Sequence, residues 1–319
     1  MTITPSESST ASKASSSASS SAASPHIASE SLLLRIATYN IHKGVSGFAL
    51  RNRIHDLRLG VTKLNADIMF LQEVQGRNDS HSERFSNWPE EAQHDFLASE
   101  GWAEAVYGRN AVRNKGTFVS DHGNALLSRF PLLSHENLDI SDHRFEQRGL
   151  LHCEIDWADQ RIHCICAHLG LFEGSRLRQV EAMIARINEH VPADAPLIIA
   201  GDFNDWRVRL GQTLRDQLGV REVFDQEDSG DDAAGAGETP AKRLKRRLRA
   251  GFERGISDSP QPARTFPSAF PILRLDRVYV RGFKVAKARV MHGTAWRKLS
   301  DHAPIVVDLD LDIAASRAS

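Results

Sequence analysis

Ser300-Asp301-His302 and Gly201-Asp202-Phe203-Asn204 set carboxylates, an amide and an imidazole directly against apolar runs. Leu197-Ile198-Ile199-Ala200 leads into one, and Ala303-Pro304-Ile305-Val306-Val307 follows the other. Such groups cost about 1–3 kcal/mol each to bury without partners, so strand ends that keep them are expected to use them. Four further motifs have the same form. Asn40-Ile41-His42, Gln72-Glu73 and Ala167-His168 each end an apolar run, and Arg274-Leu275-Asp276-Arg277 begins or lies within another. Ligands of open α/β sheets gather at one edge of the strands, so these motifs would line one cleft. Four carboxylates there, Glu73, Asp202, Asp276 and Asp301, would repel one another. A hard divalent cation relieves that repulsion. Mg2+, with Mn2+ as an alternative, takes a few carboxylate oxygens together with waters and a phosphate. No Cys/His set has the spacing of a zinc site. Cation, activated water and imidazole together suit hydrolysis of a phosphate ester.

Taken singly, each residue has a plainer reading. Asn40 would be a turn residue, Glu73 a helix-start charge, His168 a satisfied histidine, and Asp202 with Asn204 an Asx-turn. The ordered combination, each member at a strand end, is what points to chemistry.

The elements that must position these groups alternate between strand and helix. Strands are predicted at 32–39, 68–71, 125–128, 150–155, 162–167, 197–200, 274–280, 284–290 and 305–311. Helices are predicted at 53–64, 90–100, 175–190 and 208–218. In the third, Leu177, Val180, Ile184 and Ile187 recur at helical spacing. The expected class is α/β.

Composition bounds the rest. A chain of 319 residues, 41% hydrophobic and 25% charged, fits one large soluble domain. A net charge of −1 argues against a dedicated nucleic-acid binder. Three cysteines are too few for a disulfide framework, and Cys164 and Cys166 share one face of a strand, where they would pack as small apolar groups. A reducing compartment, the cytoplasm, is expected. No apolar run is long enough to span a membrane. Residues 1–31 are Ser/Ala-rich and read as a disordered tail, with a second short tail at 313–319. Between them, 32–312 form the domain. An insertion at about 226–262 runs from acidic and Gly-rich to strongly basic, and residues 242–249 could touch an anionic surface.

With these motifs in place, the chain resembles the endonuclease/exonuclease/phosphatase superfamily, from about Arg35 to Asp310. The resemblance implies a deoxyribonuclease-I-like fold, a four-layer sandwich of two mixed β-sheets flanked by helices. It implies that Asn40, Glu73 and Asp301 serve the metal and phosphate. It implies that His168 stabilises the phosphoryl transition state, that Asp202 activates water with Asn204 as amide partner, and that Asp276 orients His302. Tyr107 falls near the family's active-site tyrosine. Gly123-Asn124-Ala125-Leu126-Leu127-Ser128, Gly-Asp-Phe-Asn-Asp-Trp and Leu-Ser-Asp-His-Ala-Pro are similar to uncharacterised bacterial members, with Asn124 at the pocket. Arg148 and Arg207 are candidate phosphate contacts, with surface ion pairs as their plainer reading.

The function expected is a Mg2+-dependent phosphodiesterase acting on a lipid or nucleic-acid phosphodiester. A DNA or RNA nuclease is the alternative, favoured less by the neutral charge. An inositol-polyphosphate phosphatase ranks third, because Ile199 and Ala200 stand where that group has a tryptophan. A non-catalytic phosphate-binding module is the reading from another class. Phe252, Phe266, Phe270 and Trp296 could supply an apolar arm beside the cleft, with core packing as their plainer role.

Overall fold

The computed structural model describes residues 33–46, 51–99, 101–143, 146–225 and 263–311. The expected tails, the insertion at 226–262, its basic stretch 242–249 and Phe252 lie outside these residues.

Alternating burial builds two six-stranded mixed sheets. Sheet 1 combines β1 (Leu33–Asn40), β4 (Ile68–Asn78), β5 (Glu104–Lys115), β6 (Phe118–Ser128), β13 (Phe283–Val290) and β14 (Ile305–Leu311), in the order β13-β14-β1-β4-β6-β5. Sheet 2 combines β7 (Leu132–Asp139), β8 (Gly149–Trp157), β9 (Gln160–His168), β10 (Leu197–Asp202), β11 (Arg221–Glu222) and β12 (Asp276–Arg281), in the order β11-β12-β10-β9-β8-β7. A small ribbon pairs β2 (Val45–Ser46) with β3 (Arg51–Asn52). Each large sheet holds one parallel pair joined by a helical crossover. In sheet 1, α1 (Ile54–Leu64) joins β1 to β4; in sheet 2, α4 (Glu173–His190) joins β9 to β10. Among the described residues, the remaining α-helices are α2 (Asp79–Arg84), α3 (Gln93–Ala98) and α5 (Leu210–Leu218).

Period-two alternation sorts the side chains into layers. Leu34 and Ile36 of β1, Ile68 and Phe70 of β4, Cys164 and Cys166 of β9, Ile198 and Ala200 of β10, and Val278 and Val280 of β12 fill the space between the sheets. Ala37, Tyr39, Met69 and Leu71 face outward under Ile54, Leu57, Val61, Leu64, Phe96 and Leu97 of α1 and α3. Ile165, Ala167, Leu197 and Ile199 face the other way, under Val180, Met183, Ile187, Leu210 and Leu214 of α4 and α5. Each fully buried aliphatic side chain stabilises the fold by about 1.5–3 kcal/mol, enough to carry a few costly polar groups at the sheet edge. The result is the expected four-layer sandwich, and the buried cysteines pack as expected.

Some elements differ from expectation. The helix expected at 90–100 is confined to Gln93–Ala98, and the one at 208–218 starts at Leu210. Leu177 is exposed on α4, where the buried face runs through Arg176, Val180, Met183, Ile184 and Ile187. The strands β5 and β7 went unrecognised, because they are edge strands with polar outer positions. Among the described residues, no helix is long and apolar enough to cross a membrane.

Candidate active site

The same alternation delivers the polar groups. Gln72, His168 and Asp202 continue the inward-facing series of β4, β9 and β10 by one more step, Asn40 continues that of β1 past Thr38, and Asp276 opens that of β12. Strands β12 and β14 run antiparallel to their neighbours, so their starts lie at the edge where β10 and β1 end. Ser300-Asp301-His302, just before β14, therefore arrives beside Asn40, and Ser300 Oγ donates to the Asn40 carbonyl at 2.7 Å. Gly201 makes this edge possible. Its φ is +148°, and a Cβ there would meet the Ala167 carbonyl oxygen at 1.9 Å.

Asp202 is the hub. Its Oδ2 accepts from Asn40 Nδ2 across the sheet interface at 3.1 Å. The same oxygen lies 3.5 Å from His168 Nε2 and 3.7 Å from His302 Nε2. Those two separations are long for direct hydrogen bonds and leave the oxygen free to engage a small molecule between the rings. Oδ1 accepts from the Asn204 backbone N–H at 3.0 Å, and Asn204 Nδ2 donates to the Leu169 carbonyl at 2.9 Å. Asp276 Oδ2 pairs with His302 Nδ1 at 2.8 Å and also accepts from the Thr265 hydroxyl. Phe266 packs on the His302 ring, with centroids 4.9 Å apart.

The two imidazoles are driven in opposite directions. Burial disfavours charge on His302, but Asp276, Asp202 and Asp301 together overcome it and push its pKa up to about 10. Burial and the Arg148 guanidinium push His168 down to about 4, against the pull of Asp202 and Glu73. At neutral pH the site thus holds one cationic and one neutral imidazole.

A second cluster forms on the sheet 1 side. Glu73 sits in a β-bulge of β4 with φ +55°, which turns its carboxylate out of the regular alternation. Lys43 Nζ meets Glu73 Oε2 at 2.7 Å, and His42 Nδ1 meets Asp301 Oδ1 at 3.2 Å. His42, Lys43 and Asn204 also adopt left-handed φ. Backbone strain of this kind concentrates where function needs it. Burial would raise the Glu73 pKa, but Lys43, His168 and His42 outweigh it and hold the carboxyl well below its usual range. Asp301 is lowered too: burial opposes, and the His42 hydrogen bond and the His302 charge prevail.

A hard divalent cation fits this cluster. Glu73 and Asp301 repel each other, and each is met by a basic side chain, Lys43 or His42. With the Asn40 amide oxygen they offer oxygen donors only, as such an ion prefers. Asp202, Asp276 and His302 also bring ligand atoms within 4.8 Å of one another. There His302 is bonded to Asp276 and held cationic, so it has no lone pair to donate, and the trio reads as a carboxylate-stabilised imidazolium.

The other expected residues fall in several places. Arg148 is mostly buried and close enough to depress both His168 and His122; it pairs with Glu146 at 3.4 Å. It lines a cleft of about 520 Å³ with Arg113, His122, His143, Leu171 and Phe172. Asn124 is buried on the inner face, donating to Gly149 and Cys166 carbonyls; its Oδ1 has no hydrogen-bond partner among the described residues. Arg207 lies on the rim, half-exposed and paired with Glu173 at 3.4 Å. Tyr107 faces the helical layer instead of the cleft: its hydroxyl donates to Asp121 at 2.6 Å and its ring stacks on His94. Trp296 packs against Tyr39 in the core, whereas Phe270 is exposed on the rim. Sequence reasoning missed Lys43 and Thr265, and held His42 only as part of the Asn40-Ile41-His42 motif, with no role of its own. The signal for His42 was its place two residues past Asn40; Lys43 and Thr265 carry none.

The chain matches the endonuclease/exonuclease/phosphatase family over residues 37–302. It belongs to that family. Its members are metal-dependent phosphoesterases and nucleases, so the chain is an enzyme of that broad class. The uncharacterized protein YbhP of Escherichia coli (strain K12) is 37% identical over 279 residues, 87% of this chain and 96% of its own length. Two solved structures share the fold. An endonuclease/exonuclease/phosphatase from Beutenbergia cavernae is 21% identical, with a TM-score of 0.60, covering 88% of this chain and 72% of that one. D. rerio TDP2 complexed with a single-strand DNA product is 16% identical, with a TM-score of 0.55, covering 87% and 99%.

Proposed function

We propose that the chain is a Mg2+-dependent phosphodiesterase that acts by in-line attack of water on phosphorus. The observation that carries this reading is Asp202 Oδ2, shared among Asn40, a neutral His168 and a cationic His302. Asp202 orients the water and takes its proton at Oδ2. His302, kept charged by Asp276, steadies the negative charge that develops on the phosphoryl oxygens. His168 donates a ring N–H to one of those oxygens, and Arg148 contacts another. Bound on Glu73, Asp301 and Asn40, Mg2+ would polarise a non-bridging oxygen and screen the carboxylates. His302 is thus a charge stabiliser and not a general base, because a base must be unprotonated at working pH.

The substrate reading favours a phosphodiester that carries an apolar portion. Leu171 and Phe172 after β9, Trp206 and Val208 after β10, and Phe270 and Ile272 before β12 all stand exposed on loops at this edge of sheet 2. A lipid phosphodiester satisfies such a rim. A nuclease is the second reading, favoured by the likeness to a TDP2 structure that holds a DNA product. The three buried free cysteines suit a cytoplasmic setting. Turnover of bis-p-nitrophenyl phosphate with and without Mg2+ tests the chemistry. A panel of phospholipids, single-stranded DNA, abasic DNA, RNA and inositol phosphates tests the substrate. Mg2+-dependent turnover with preference for phospholipid is expected. No turnover of any phosphoester would leave a phosphate-binding module, and preference for DNA or RNA would establish the nuclease.

A further inference from the structure

A second constellation lies on the helix-facing side of sheet 2. His152 and Glu154 project outward from β8, and His163 projects outward from β9, opposite to the inward series Cys153, Ile155 and Cys164. The register pairs Glu154 directly with His163 and sets His152 on the diagonal. Diagonal neighbours of this kind stay within reach of long side chains. His152 Nε2 and His163 Nδ1 face each other at 3.0 Å, and a Glu154 carboxylate oxygen lies within 4.8 Å of a nitrogen of each ring. His163 is five residues before His168 on the same strand, on the order of 16 Å from the catalytic edge and on the other face.

We propose that His152, Glu154 and His163 form a binding site for a divalent cation of the zinc class. Two nitrogens bound at about 2.0–2.1 Å to a tetrahedral ion lie about 3.3 Å apart, so the observed pair needs to open by only a few tenths of an ångström. Both rings are buried, and burial lowers the pKa of each, so each neutral ring has one lone pair to offer once the ion replaces the ring-to-ring hydrogen bond. Nearby cations are already matched: Arg186 pairs with Glu136, and the exposed Arg161 pairs with Glu154. The Arg161 contact is a surface ion pair and is readily displaced. Glu154 is part-exposed and provides the way in. Imidazole donors select zinc-class ions, whereas the oxygen donors of Glu73 and Asp301 select Mg2+, so the two sites would divide the metals between them.

The test is Zn2+ binding by the full, metal-stripped chain carrying Glu73→Gln, which disables the catalytic cation cluster. Equilibrium dialysis should count one bound Zn2+, and the count should fall to zero when His152→Asn and His163→Gln are added. An unchanged count, or no bound Zn2+ before the histidines are replaced, overturns the proposal. Should circular dichroism show the histidine variant unfolded, Glu154→Gln is read in its place. That change is isosteric and part-exposed, and it should weaken Zn2+ binding about tenfold or more; unaltered affinity overturns the proposal.

Discussion

The parallel pairs β1–β4 and β9–β10 share a plan, strand, crossover helix, strand, yet they end differently. On the sheet 2 side the register runs without a shift from His163 to His168 and from Leu197 to Asp202, and the catalytic groups simply continue the alternation. On the sheet 1 side β4 breaks into a bulge at Glu73, and the turn after β1 takes up left-handed backbone at His42 and Lys43. The regular strands of sheet 2 hold His168, Asp202 and Asp276, where the direction of a proton matters and geometry must be stiff. The irregular side holds Glu73 and Asp301 beside Lys43 and His42, where oxygens must be free to close on an ion. Rigid placement thus rests on sheet 2 and adjustable ligation on sheet 1, with His302 of the sheet 1 side tied across to sheet 2 by its bond to Asp276.

Replacing Asp202 by Ala should strike hardest, because one oxygen serves Asn40 and both imidazoles. Turnover of bis-p-nitrophenyl phosphate at saturating Mg2+ should fall about a hundredfold or more. A folded variant with full activity would remove sheet 2 from the chemistry.

Asp276→Asn comes next, with an expected loss of about tenfold or more and a changed pH profile. In the parent chain His302 keeps its proton until about pH 10. Activity that needs the cation is lost as pH rises through that value; in the variant the loss should move down toward the ordinary histidine pKa of about 6.5. The same pairing contributes stability that is fully present below about pH 6.5 and lost as pH rises through about 10. Denaturation of the metal-free chain should therefore show the largest gap between parent and variant at the acidic end of that window. A constant gap would show that Asp276 acts only by packing.

The sheet 1 side should respond in metal requirement more than in the limiting rate. Glu73→Gln should raise the Mg2+ concentration for half-maximal activity about tenfold or more. Lys43→Met should act in the opposite sense, lowering it about two- to fivefold, because Lys43 competes for the same carboxylate. A shift of both variants in the same direction would rule out Glu73 as a cation ligand. Smallest of all, Tyr107→Phe should change turnover less than twofold while costing about 1–3 kcal/mol of stability, since it leaves Asp121 without its 2.6 Å donor. A large catalytic loss would mean that the helical face of sheet 1 takes part.

Much of this was legible in the chain alone. Apolar runs that end in Asn40, Glu73, His168 and Asp202, and one that follows Asp301-His302, announce strands and a shared edge, and the helical spacing of Ile54, Leu57, Val61 and Leu64 places α1. Edge strands β5 and β7 escaped because one of their faces is wet and their alternation is broken. Tyr107 looked like a cleft residue because its place in the order of motifs matches the family's tyrosine. Its facing depends on strand parity, and parity is visible only when the register with Ala125 is known.

The amino-acid sequence by itself determined the residue types, their order and the strand ends that carry them, because period-two burial is a local property. Only the tertiary structure decided which carboxylate meets which cation. Asn40 and Asp202 are separated by 162 residues, and His302 and Asp276 by 26, yet each pair closes to hydrogen-bonding distance. The charge of His302 and the neutrality of His168 follow from burial and from neighbours brought in by other strands, and neither is written in any segment of the chain.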